Sequence, residues 1–133
     1  MSEILRRIEN TIASYPAAQM SNTKWRRVLE TVGEIDIPVQ FAFVREEEFK
    51  STVHFPKDGC NQTSTKDCCA HGPFYYKEIF AIRCPVYEMK TNLKTGAKYQ
   101  CTERSDRFLE NLNSIGKLPT ELDESFIYIK GYA

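Results

Sequence analysis

Three of the five cysteines and one of the two histidines lie within a dozen residues of one another: Cys60, Cys68, Cys69 and His71. Thiolate and imidazole are the ligands that zinc prefers. The same side chains offer nucleophilic chemistry, with Cys69 as the attacking thiol and His71 as its base. The spacing favours neither. There is no C-x2-C pair, and the side chains of adjacent cysteines diverge, so Cys68 and Cys69 are poorly arranged for one ion. No flanking motif of a cysteine hydrolase accompanies Cys69. A disulfide from Cys60 to Cys68 or Cys69 is a further alternative. All four residues belong to a polar stretch, Pro56 to Gly72, with almost no apolar side chain to bury it. Loops of this length are mostly functional or disordered. The leading reading is an exposed binding or mobile loop. Zinc held by Cys60, Cys68, Cys69 and His71, and a small cysteine-dependent enzyme, are the alternatives.

Other chemistries find less support. Glu46, Glu47 and Glu48 form an acidic run, which reads as a solvated turn rather than an acid or metal site. Phosphate-cradling loops are absent, because the six glycines are scattered singly. Arg6, Arg7, Lys24, Arg26 and Arg27 give a basic N-terminal surface, and Phe74, Tyr75 and Tyr76 could stack on bases. Lysine plus arginine nevertheless equals aspartate plus glutamate, at 18 each. No global field draws the chain to nucleic acid or an anionic membrane. No apolar run approaches membrane-spanning length. Arg6, Arg7 and Glu9 interrupt the N-terminus, which therefore does not read as a signal peptide. A cytoplasmic location with reduced thiols is expected, and the odd cysteine count fits a closed disulfide framework poorly.

The elements that must position these residues follow from periodicity. At 133 residues the chain suits one domain with a core of its own. Residues 1–20 read as a helical arm and 21–133 as the domain, since Met20-Ser21 offers a second plausible start. Ile4, Leu5, Ile8 and Ile12 form one helical stripe. Trp25, Val28, Leu29 and Val32 form another, capped by Ser21 or Asn22 and stopped at Gly33. Val39 to Val44 and Phe49 to Phe55 read as a strand hairpin, and Phe74 to Arg83 as a strand broken at Cys84-Pro85. Val86 to Thr91 and Ala97 to Thr102 alternate cleanly. Pairing Met89 with Tyr99 and Tyr87 with Cys101 predicts one buried face. A third helix carries Phe108, Leu109, Leu112 and Ile115 and ends at Gly116. Ser125 to Gly131 is apolar on both faces, which predicts a central strand. The whole is α+β: a mostly antiparallel sheet of about five or six strands, two N-terminal helices, and one helix before the last strand.

Three segments carry a resemblance: Asn22-Thr23-Lys24-Trp25, Gly72-Pro73-Phe74-Tyr75-Tyr76-Lys77-Glu78-Ile79, and Ile127-Tyr128-Ile129-Lys130-Gly131-Tyr132. Together they resemble an uncharacterised family of small bacterial proteins that begin on N-T-K-W and close on I-x-I-x-G-Y. The segment before Ser21 and the cysteine loop depart from that pattern. The resemblance implies a non-enzymatic bacterial protein, of the kind that includes immunity proteins neutralising a toxin made by kin. On that reading the function is occlusion of a toxin's site. Glu46, Glu47, Glu48, Asp58 and Asp67 would meet a basic partner surface, and Tyr75 and Tyr76 would anchor it.

Overall fold

A computed structural model of the chain describes residues 20–44, 48–67 and 71–132. The expected first helix, Glu46, Glu47, Cys68 and Cys69 lie outside these residues. The described residues form two helices, a four-stranded antiparallel sheet and a separate two-stranded ribbon. The α+β expectation holds at that level.

Helix α1 spans Asn22–Ile35. Ser21 caps it: its Oγ accepts the Lys24 amide at 3.1 Å. Trp25, Val28, Leu29, Val32 and Ile35 are buried along one stripe. The helix runs past Gly33, the expected stop, and ends at Asp36, whose φ of 59° is left-handed and whose amide donates to the Val32 carbonyl. Gly33 serves a different purpose. A Cβ there would lie 2.4 Å from the Lys57 Cα, so its absence lets the loop backbone rest directly on the helix.

The sheet comprises β1 (Gln40–Phe43), β2 (Ile79–Pro85), β5 (Thr120–Leu122) and β6 (Phe126–Lys130), in the order β1-β2-β6-β5. As its two apolar faces predict, β6 is internal. Its Ile127 and Ile129 pair with Cys84 and Ile82 of β2, and with Phe41 of β1 they meet α1 and the second helix, α2 (Glu103–Ile115), through Phe108 and Leu112. Ile82, Ile127, Ile129, Phe41 and Phe108 are all 0% exposed. Each such burial contributes about 1.5–3 kcal/mol.

Three strand expectations are corrected. Phe49 to Phe55 is not a strand. It touches β1 through the Val39–Val53 bridge and through the Lys50 amide donating to the Phe41 carbonyl at 2.8 Å. These contacts are out of step by one residue, so no continuous ladder can form. Residues Tyr76–Glu78 form a 3-10 turn, and the strand begins only at Ile79. The Glu78 carboxylate fixes that turn by accepting the Tyr75 amide at 2.6 Å.

The ribbon, β3 (Glu88–Thr91) and β4 (Lys98–Cys101), pairs Met89 with Gln100 and Lys90 with Tyr99, one residue out of the expected register. The turn sets that slip. Asn92 Oδ1 accepts the Lys94 amide at 2.9 Å, Gly96 takes φ 72°, and Asn92 and Ala97 close the loop. Met89 and Tyr99 therefore point to opposite faces, and both are exposed. The ribbon is tied down at its base, where Ser105 Oγ of α2 donates to the Val86 carbonyl and Arg104 pairs with Glu88 at 3.4 Å. Helix α2 starts at Glu103, before the Ser105 or Asp106 cap expected, and ends before Gly116 as predicted.

The three segments behind the family resemblance meet in one place. A Cβ on Gly131 would lie 2.5 Å from the Ile79 carbonyl oxygen and 3.3 Å from Trp25 Cζ2. Each of the three atoms comes from a different segment. These residues thus form a packing contact within the fold. Gly131→Ala should destabilise the protein by about 1–3 kcal/mol through overpacking against fixed backbone. A urea titration reads this as a lower midpoint with an unchanged slope, and an unshifted midpoint would refute it.

Candidate functional site

The cysteine loop is folded onto the domain over its described part. Cys60 bridges to Thr65 and Ser64 to Tyr75, while the Lys66 amide donates to the Gly59 carbonyl at 2.9 Å. Thr65 is buried, and its Oγ1 accepts the Phe74 amide at 3.1 Å. The loop's role here is to carry Cys60 and Tyr76 onto α1. The Cys60 thiol lies 3.8 Å from the Arg26 carbonyl, and the Tyr76 hydroxyl donates to the Asn61 carbonyl at 2.6 Å. Tyr76 is 0% exposed. This corrects its expected role as a surface anchor, because its ring belongs to the core.

The proposed metal ligands do not converge among the described residues. Cys60 faces α1, whereas His71 packs edge-on against Phe41 and Phe43 of β1, with Nε2 3.3 Å from the Ser51 carbonyl. No group of three potential ligands forms there. Among the described residues Cys60, Cys84 and Cys101 are free thiols, and the Cys68 and Cys69 partners of the disulfide alternative lie outside them.

The expected acidic set is divided. Glu48 is exposed immediately before Phe49. Asp58 and Asp67 are exposed at the two ends of the loop, where Lys57 rests on α1. Tyr75 is half-buried beneath the Lys77 ammonium, 5.8 Å from its ring centroid.

The most structured surface feature lies elsewhere, on the sheet face turned away from the helices. Strand alternation that sends Ile82, Ile127 and Ile129 inward must send Arg83, Phe126 and Tyr128 outward. Register then aligns a row across four strands: Gln40 opposite Arg83, Arg83 opposite Tyr128, and Tyr128 opposite Glu121. The Arg83 guanidinium sits between two phenyl rings, 4.2 Å from the Phe49 centroid and 4.1 Å from that of Phe126. Its Nε donates to Gln40 Oε1 at 2.6 Å. Tyr128 closes one side, with its ring 6.0 Å from both Phe49 and Phe126.

Beside this cluster Asp123 caps the β5–β6 turn, accepting the Ser125 and Phe126 amides at 2.7 Å each. These backbone bonds, helped by the Tyr128 hydroxyl and the Arg83 charge, hold its carboxyl below the usual value of 3.8. Glu121 is engaged by Lys130 at 3.1 Å.

Sequence reading missed this cluster. Its members are spread from residue 40 to residue 128, and only the strand register brings them together. The available signal was a lone arginine inside an otherwise apolar strand, Ile79 to Pro85.

An open cleft of about 530 Å³ between the start of α1 and the loop is lined by polar groups, including Arg26, Arg27 and Thr63. Glu30 already stands 3.3 Å from Arg26 there. Among the described residues no helix is long and apolar enough to cross a membrane. The chain matches no protein-family model, no curated protein and no solved structure at a significant level.

Burial raises the acid groups of the core. Desolvation pushes up the thiols of Cys84 and Cys60 from an ordinary 9.0, and the hydroxyls of Tyr76 and Tyr132 from 10.0. The folded chain therefore keeps these protons to higher pH than the unfolded chain does. Their contribution to stability is complete below the unfolded values and is lost as pH rises through the folded ones. The urea midpoint should hold steady from roughly pH 7 to 8 and fall above about pH 9. Cys84→Ala should make that fall shallower. An equally steep fall in the variant would remove Cys84 as a cause.

Proposed function

We propose that the chain is a non-enzymatic bacterial binding protein, an immunity-like inhibitor that neutralises a toxin by occluding its site in the cytoplasm. The observation that carries this reading is the outer sheet face. Strands β2 and β6 there present Arg83, Phe126 and Tyr128, and Phe49 joins them from the segment after β1; arginine and aromatic side chains most often dominate protein interfaces. Acidic groups border the patch. Glu48 is next to Phe49, and Asp123 and Glu124 follow β5. Such a rim suits a basic partner and speeds encounter. The resemblance to an uncharacterised family of small bacterial proteins, a kind that includes immunity proteins, is in keeping with this reading, although the segments carrying it lie mainly in the core.

Glu48 acts here as a steering charge beside that face, Asp58 and Asp67 add exposed acidic charge, and Glu46 and Glu47 lie outside the described residues. Tyr128 replaces Tyr76 as the aromatic anchor, and Tyr75 stays a peripheral contact. The ribbon adds a second exposed apolar feature, with Leu93 98% and Met89 56% exposed.

The test is co-purification with the product of the neighbouring gene at low and high salt. Tyr128→Ala should weaken capture by about 2 kcal/mol, roughly thirtyfold, as for an interface anchor. Glu48→Lys should slow association at low salt and have little effect at high salt. Absence of a complex, or a complex indifferent to both substitutions, counts against the reading.

A further inference from the structure

We propose that Arg83 is a preformed receptor for a side-chain carboxylate, and that the partner inserts an aspartate or glutamate between Phe49, Phe126 and Tyr128. The proposal rests on the outer sheet face being the binding face.

A surface arginine ordinarily samples many rotamers, and ordering it opposes binding. Arg83 has already lost that freedom. Two phenyl faces at 4.2 and 4.1 Å fix its plane, and Gln40 Oε1 at 2.6 Å fixes its Nε edge. Guanidinium carries five donors, and this arrangement uses one of them. The two Nη groups have no acceptor among the described residues. Arg83 as a whole is half-buried, so part of the residue reaches the surface.

Among the described residues the neighbouring carboxylates make no hydrogen bond to the fork. Asp123 feels the Arg83 charge but is held by two backbone amides, and Glu121 holds Lys130. What is left is a planar fork of fixed orientation, flanked by apolar walls. Its complement is a planar anion with two oxygens at the same spacing, a carboxylate bound through parallel charge-assisted hydrogen bonds. Lysine could not replace it, since an ammonium neither stacks flat nor presents a fork. The acidic rim adds a condition: the inserted carboxylate must be surrounded by basic groups on the partner.

The experiment is an NMR titration of the full chain, following the Arg83 Nε–Hε signal and the Phe126 and Tyr128 signals. The probe is N-acetyl-glutamate amide, which has only its side-chain carboxylate. N-acetyl-glutamine amide serves as the neutral isostere, and inorganic phosphate and N-acetyl-glycinate as the other anions. The glutamate probe should shift these signals saturably with millimolar affinity, and the glutamine probe should not shift them. Arg83→Lys, which keeps the charge, should weaken binding at least about tenfold, as expected for loss of the two-point fork.

No outer-face shift up to about 50 mM probe, a span that covers affinities weaker than millimolar, would overturn the proposal. Equal shifts with the glutamine probe, or tighter binding of phosphate or glycinate, would also overturn it. The wild-type comparison of glutamate with glutamine decides the matter even if the variant fails to fold. Co-purification of the partner without glutamate binding would sink this inference and leave the inhibitor reading standing. Glutamate binding without a partner complex would do the reverse.

Discussion

Arg83 faces Tyr128 across the two central strands, and the whole molecule is organised by that one register. With it, Ile82 meets Ile129 and Cys84 meets Ile127 on the side where α1 and α2 lie. A slip of one residue would turn those isoleucines outward and bury a guanidinium against Trp25 and Phe108. The side-chain period of a strand is two, so no intermediate arrangement exists. Burying an unpaired charge costs far more than a misplaced apolar group. The arginine therefore makes the wrong register prohibitively costly, while the isoleucines make the right one favourable.

The same constraint explains which parts of the fold the sequence announces. Strand β6 is apolar on both faces because one face meets the helices and the other carries an aromatic cluster, and periodicity alone revealed its central place. The ribbon is the contrary case. Its clean alternation predicted a buried face, yet Met89 and Tyr99 project from opposite sides into solvent. Alternation says that two faces differ. It does not say what covers either one, and here Asn92 and Gly96 set the register through turn geometry before any hydrophobic surface could. Gly33 was misread for a related reason. A helix stop and a close backbone approach both demand glycine, and only the position of Lys57 distinguishes them.

The site was less legible than the fold. Cysteines and histidines attract attention because their chemistry is rare, and their proximity along the chain suggests proximity in space. Within the described residues Cys60 and His71 turn to different neighbours. The Arg83 cluster draws instead on Gln40, Phe49, Phe126 and Tyr128, side chains that carry no chemical signature singly. Their meaning comes from pairing across strands that lie far apart in sequence. The three segments singled out in the sequence likewise proved to be packing elements, since they converge on Gly131, Ile79 and Trp25.

Why position 83 holds an arginine is a question of energetics. An apolar residue there would continue the patch formed by Phe49 and Phe126 without desolvating a charge. Stacking on two aromatic rings offsets part of that desolvation, by about 0.5–1 kcal/mol for each partly exposed contact, and the bond to Gln40 offsets more. Both interactions, however, use the faces and the Nε edge of the group. Neither engages the Nη donors, which give arginine its selectivity for planar anions. Stability accounts for a side chain packed in this slot, and register specificity accounts for its being charged. Neither accounts for a charge whose donor fork is fixed in place and has no acceptor among the described residues. That remaining feature is the one that recognition of an external carboxylate would use.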